Sequence, residues 1–445
     1  MADAAQSATE AALENQRIGA LQIRVVAICS LIQICDGYDV GSIGWGVPSL
    51  THAWSLPPSA FALTFLWSNL GVMAGALSSG PIGDRVGRKP LLLASIAIFG
   101  LASLLSAFAG SLGVLSVLRF FTGLGIAGAF SGTTALTGDY TPQRLRATMI
   151  MAQFAGAPLG GFVGGLAVAA LLAHFGWEVI FVIGGVFPLA LVPVMALWLP
   201  ESPRFLARKP NLSSRQRALL ARLDIVPGQA GSHPVDIAVG NPIKMLFGRG
   251  YALQTVLLWV IYFCSLLNLF LFVYWLPEVL HLTGMTPPQA VFASSIVPLG
   301  GIFAVFYLGP LIDRFGPERA LALHYAAGVL FIALIALVAL PYFALLIVIF
   351  FAGTTVIGSQ NGANGTCGAL YPARMRTTGI GWAIGIGRVG SIVSPILGGY
   401  LLARGLPPTQ IFLSACLFAL VAAVATALLV LRGSSSFKFS AAHNS

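Results

Sequence analysis

Two carboxylates, Asp36 and Asp39, lie about halfway along residues 25–50, a stretch with no other charge, in the run Cys35-Asp36-Gly37-Tyr38-Asp39. If that stretch crosses a bilayer, both sit near mid-depth, where an ionised side chain is costly unless it is protonated, paired or hydrated. Three residues apart on a helix, they project within about 60° of each other and can face one cavity. Proton-linked chemistry is the first expectation. Two further charges, Arg119 and Arg388, also fall inside apolar stretches. Burial raises the proton affinity of a carboxylate and a nearby guanidinium lowers it, so an aspartate whose arginine is borrowed by a substrate changes its proton affinity. On this reading Asp36 and Asp39 bind and release protons, and Arg119 or Arg388 grips a substrate carboxylate through a two-pronged contact. The same four charges also fit two buried ion pairs that hold their helices together.

The elements that must position them are helices. The chain of 445 residues is 57% hydrophobic and 9% charged, against roughly 25% charged in a soluble domain. Twelve apolar runs are long enough to span a membrane: residues 22–48, 59–81, 91–110, 112–138, 146–172, 177–199, 251–276, 289–312, 320–340, 342–366, 377–403 and 408–432. The fold class is all-α, a polytopic membrane protein. Residues 1–21 form a polar tail without the basic start of a cleavable signal, and 433–445 a second tail. The net charge of +10 is topological: apart from Arg119 and Arg388, every Lys and Arg except Arg404 falls on one side of the twelve spans. That asymmetry places both termini in the cytoplasm and removes the case for a nucleic-acid partner. Five scattered cysteines and six scattered histidines suggest neither a disulfide framework nor a metal centre.

The chain repeats itself. Gly83-Asp84-Arg85-Val86-Gly87 after the second span matches Ile312-Asp313-Arg314-Phe315-Gly316 after the eighth. Pro142-Gln143-Arg144-Leu145-Arg146-Ala147-Thr148 before the fifth matches Pro372-Ala373-Arg374-Met375-Arg376-Thr377-Thr378 before the eleventh. Two pseudo-symmetric six-helix halves, 22–200 and 251–432, are joined by a cytoplasmic linker, 201–250, with a short helix expected near 213–223. Such halves suit alternating access around a site at mid-membrane. The deep charges break the repeat: Asp36 and Asp39 correspond to Leu266 and Leu269, Arg119 to Ile349, and Arg388 to Pro158.

Gly80-Pro81-Ile82-Gly83-Asp84-Arg85-Val86-Gly87-Arg88-Lys89 resembles the loop signature of the major facilitator superfamily, and Arg119-Phe120-Phe121-Thr122-Gly123-Leu124-Gly125 its fourth-helix signature. Within it, Asp36-Gly37-Tyr38-Asp39, Pro200-Glu201-Ser202-Pro203-Arg204, and the segment from Tyr371-Pro372 to Gly387-Arg388-Val389-Gly390 resemble the aromatic acid:proton symporters. The resemblance covers nearly the whole chain. It implies import of a small aromatic carboxylate, of the benzoate or hydroxybenzoate kind, by proton symport across a bacterial inner membrane. The expected protein is a monomer in the lipid bilayer, with protons as coupling ion, no other cofactor and no enzymatic activity. A sugar or polyol symporter, a drug–proton antiporter and a transporter-like sensor are the alternatives at this point. In the second-half loop, Gly316-Pro317-Glu318-Arg319 lacks the full basic ending of the signature.

An aromatic substrate needs flat apolar walls and a few hydrogen-bonding groups, and the candidates are Tyr38, Asn268, Tyr274, Gln360, Asn361, Asn364 and Trp382, while Trp45 suits interfacial anchoring. Asp84, Arg85, Arg88, Asp139 and Arg146 are candidates for an inner gate, with Asp313, Arg314 and Arg376 as its weaker second-half counterpart. Gly123-Leu124-Gly125-Ile126-Ala127-Gly128 has the spacing of a dinucleotide motif. Lying in a spanning helix with no preceding strand, it is read as a helix-packing surface.

Overall fold

The computed structural model describes residues 18–207, 209, 211–223, 225, 246–248, 251–371 and 373–441. Among them, twelve helices are long and apolar enough to cross a membrane: Ala20–Trp54, Pro58–Val86, Arg88–Ser106, Leu112–Tyr140, Arg144–Phe175, Glu178–Trp198, Ala252–Leu282, Pro287–Ile312, Pro317–Leu337, Tyr342–Ala363, Thr378–Ala403 and Pro408–Leu431, called spans one to twelve below. No strand occurs among the described residues. This is the expected architecture, because hydrocarbon offers backbone groups no partners and a helix satisfies them internally.

Start and stop signals fix most limits. Proline opens the eighth, ninth and twelfth spans, where its missing N–H costs nothing. Spans one and seven run further than hydropathy suggests, through Pro48 to Trp54 and through Pro277 to Leu282. Span five is interrupted at Ala155 between the helices Gln143–Phe154 and Gly156–Phe175. A short linker helix, Ser214–Arg222, begins at a capping box made by Ser213 and Gln216.

The described residues fall into two compact units, one drawn from Met1–Ser42, Trp67–Gly161 and Trp177–Asp236, the other from Ile43–Leu66, Phe162–Gly176 and Ile237–Ser445. The first is cored by Val25, Ile32, Leu92, Phe99, Leu136 and Leu206. Its spans approach closely where side chains vanish: a Cβ at Gly160 would collide with the backbone of Ile34, and one at Gly123 with that of Ser68. The glycine-rich run of span four is thus a packing surface. The second unit is cored by Leu258, Ile261, Tyr262, Tyr325, Ala383 and Leu429. Cys29, Cys35, Cys264 and Cys416 are buried free thiols.

Two tight loops carry the repeat into the backbone. Gly87, between spans two and three, has φ 113°, and Gly316, between spans eight and nine, has φ 82°. Both are left-handed conformations that favour glycine.

Candidate functional site

Within the first unit, span one delivers Asp39 and span four delivers Arg119 to one buried point. Arg119 Nη1 donates to Asp39 Oδ1 at 2.9 Å, and Nη2 to Ser106 Oγ of span three, also at 2.9 Å. The guanidinium lies 5.0 Å from the ring centroid of Phe181 in span six. Ser42 Oγ donates to the Asp39 carbonyl at 2.8 Å and reaches Oδ1 at 3.3 Å. Arg119 is 0% exposed and Asp39 5%, so neither charge is solvated and each depends on the other. Four spans therefore converge on a single ion pair.

The remaining residues of the first-span motif are placed differently. Asp36 is half-buried. Tyr38 is buried, and its hydroxyl donates to the Ile180 carbonyl at 2.6 Å, tying span one to span six. Arg388 is half-buried in span eleven, with its carbonyl accepting from Ser391 Oγ at 2.8 Å.

The aromatic and amide candidates other than Tyr38 lie in the second unit. Tyr274 stacks on Phe65, centroids 4.3 Å apart. Asn268 is buried beside Tyr325, Thr355 and Ser359 at a small cavity, and its Oδ1 has no partner among the described residues. The half-buried Gln360 likewise carries an unpartnered Oε1, whereas Asn361 is exposed. Trp382 is 40% exposed and stacks on Trp259 at 5.7 Å. Trp45 is buried. The side chains of Asn364, Asp313 and Arg376 lie outside the described set.

At the basic end of the first unit, Arg88 Nη2 donates to Asp84 Oδ1 at 2.6 Å. Asp139 accepts from Ser202 Oγ at 2.6 Å and pairs with Arg204 Nε at 3.5 Å. Arg146 rests against Gly138 and, with Arg88, acts on Asp139 electrostatically. Arg85 is exposed. Glu201 Oε1 accepts the backbone N–H groups of Arg88, Lys89 and Ser202 at 2.8, 3.1 and 2.8 Å, a carboxylate placed at the N-terminus of span three as the helix dipole favours. In the second unit Arg314 is exposed and lies over the ring of Phe315, 5.4 Å from its centroid.

Sequence reasoning did not single out Ser42, Ser106 and Phe181, neutral residues that carry no spacing signal. It also left Glu201, Ser202 and Arg204 without a role, although their motif was visible. His52 and His281 are repeat-related residues, and their Nε2 atoms lie 3.2 Å apart. Among the described residues no group of three or more His, Cys, Asp or Glu could hold a metal.

The profile described as the Major Facilitator Superfamily matches residues 29–383 and 258–442. A gallate transporter of Pseudomonas putida is 35% identical over 420 residues, 93% of each chain. The 4-hydroxybenzoate transporter PcaK of Pseudomonas aeruginosa is 34% identical over 431 residues, 95% of each chain. Among solved structures, a D-xylose-proton symporter superposes with a TM-score of 0.70 at 16% identity, covering 91% of this chain and 96% of the other. That last likeness concerns the fold alone.

Proposed function

The chain belongs to the Major Facilitator Superfamily, and on that premise we propose that it imports an aromatic carboxylate together with protons across a bacterial inner membrane, by alternating access and with both termini cytoplasmic. The substrate class is supported by the relatives named for gallate and 4-hydroxybenzoate, which share a carboxylate on a hydroxylated ring. An anion entering against an inside-negative potential costs about 2.3 kcal/mol per 100 mV, and one accompanying proton cancels that charge.

The observation that carries the reading is the buried Asp39–Arg119 pair. While Asp39 is ionised, the two charges compensate each other. A proton on Asp39 removes one of them and leaves the guanidinium with the neutral Ser106 hydroxyl and the ring of Phe181, a costly arrangement in an apolar setting. The pair then parts and span four is released from span one. Proton binding and helix movement become one event, with Asp36, three residues away, as a second proton site. Arg119 has no accessible surface in this conformation, which favours Arg388 as the fork for the substrate carboxylate. Gln360 and Asn361 are the hydrogen-bonding groups offered to ring hydroxyls.

The test is uptake into liposomes with an acid exterior, using labelled 4-hydroxybenzoate, benzoate and glucose. The expected result is gradient-driven accumulation of the aromatic acids, lost in Asp39→Asn while the protein remains folded by size-exclusion elution. Uptake of glucose without either aromatic acid overturns the substrate class, and wild-type accumulation by Asp39→Asn removes Asp39 from coupling.

A further inference from the structure

The membrane end where spans one and three begin and span six ends carries a cavity to which the transport reading gives no role. Leu21, Leu199 and Leu206 pack behind its wall, all buried. Its rim is cationic. Among the described residues, Arg24 of span one, Lys89 of span three, whose Nζ also donates to the Ala196 carbonyl at 2.6 Å, and Arg222 of the linker helix line it, with one carboxylate, Glu201, which is already engaged by three backbone N–H groups. On its flank stand Leu197 and Trp198, 65% and 59% exposed at the end of span six. An exposed indole at a span terminus marks the water–hydrocarbon boundary. The cavity therefore offers positive charge at headgroup depth beside an exposed leucine and an exposed indole.

These features select an anionic amphiphile. A neutral lipid gains nothing from the cationic rim, and a soluble phosphate gains nothing from the exposed Leu197 and Trp198. We infer that this cavity is a binding site for an anionic phospholipid, its phosphate held by Arg24, Lys89 and Arg222 and its acyl chains running along Leu197 and Trp198. Because Glu201 forms part of the wall, the lipid sits beside the contact that joins the linker to the start of span three. Occupancy stabilises that contact. The inference is independent of the transported substrate.

The experiment is native mass spectrometry of the delipidated full-length protein, titrated with dioleoyl-phosphatidylglycerol or dioleoyl-phosphatidylcholine, with melting temperature followed in parallel. Phosphatidylglycerol should be retained over phosphatidylcholine and should raise the melting temperature. Arg24→Gln and Arg222→Gln should each weaken its retention about fivefold, and the double variant about thirtyfold. Arg404→Gln, at the opposite membrane end, should leave retention unchanged. The single variants keep the inference testable should the double variant fail to fold. Equal retention of the two lipids, an equal loss in Arg404→Gln, or wild-type retention by Arg24→Gln and Arg222→Gln overturns it. Displacement of phosphatidylglycerol by inorganic phosphate also overturns it and assigns a soluble-anion site.

Discussion

The loop after span two and the loop after span eight share a backbone turn and differ in what reaches it. Gly87 and Gly316 occupy repeat-related positions, and both adopt positive φ. At Gly87 an added Cβ would strike Glu201 Oε2, brought by the segment after span six, whereas at Gly316 the nearest atom among the described residues, beyond its two chain neighbours, is Glu318 Oε2 of the same loop, 4.0 Å away. Tyr371 aligns with Thr141, one residue beyond Tyr140, and the two tyrosines also differ in partner. Tyr140 donates to the Glu201 carbonyl at 2.7 Å, and Tyr371 donates to Thr255 Oγ1 at 3.0 Å, at the start of span seven. Deeper in each repeat, Arg119 and its counterpart Ile349 are both 0% exposed, one a buried cation and the other a buried alkyl group. The two repeats share turns and burial, and among the described residues a long-range carboxylate at the loop and a charge pair in the core occur in the first.

The sharpest way to break that comparison is to erase the charge pair. Arg119→Leu leaves Asp39 buried without a cation and should cost about 3–5 kcal/mol, read as a large fall in thermal stability in detergent. Asp39→Leu combined with Arg119→Ile copies the second repeat, where Leu269 and Ile349 stand, and should recover most of that loss. Recovery of stability without recovery of gradient-driven uptake separates the role of the pair in transport from its role in packing. A double variant as unstable as Arg119→Leu, or one that still accumulates substrate, contradicts the division of labour between the repeats.

Next in size is the loop carboxylate. Glu201→Gln replaces a charged acceptor of three backbone N–H groups by a neutral one, and should cost about 1–3 kcal/mol of stability. Glu318→Gln, at the corresponding loop of the second repeat, should stay within about 0.5 kcal/mol. Ser202→Ala removes one hydrogen bond to Asp139 and should fall between them, at about 1 kcal/mol. Equal losses in Glu201→Gln and Glu318→Gln would make the two loops equivalent after all.

Much of this was legible before any coordinates. Span eight was expected at 289–312 and runs Pro287–Ile312, and span four was expected at 112–138 and runs Leu112–Tyr140, because apolar runs bounded by proline or charge admit few alternatives in a bilayer. The four deep charges stood out for the same reason. Which aspartate meets Arg119 did not, since residues three apart on a helix are equivalent by spacing, and only the packing of span one against spans three, four and six buries Asp39 while leaving Asp36 half-buried. Ser106 and Phe181 were invisible because a neutral residue on another helix leaves no periodic trace. The role of Glu201 was hidden by separation along the chain, as its partners Arg88 and Lys89 lie 113 and 112 residues away.

The smallest effect belongs to the most recognisable pair in the loop signature. Asp84 and Arg88 sit one turn apart with 2.6 Å between charged atoms, but the aspartate side chain is 61% exposed. Water and salt screen such a pair, and Asp84→Asn should change stability by only about 0.3–0.5 kcal/mol. Raising ionic strength should erase even that difference. Glu201→Gln should keep its deficit in the same salt series, because its partners are backbone N–H groups at a partly buried helix start. If Asp84→Asn proves the more damaging of the two, or if salt abolishes the Glu201 effect as well, the first loop is held by its surface ion pair, and the contrast with the loop after span eight must be sought in Asp84 and Arg88.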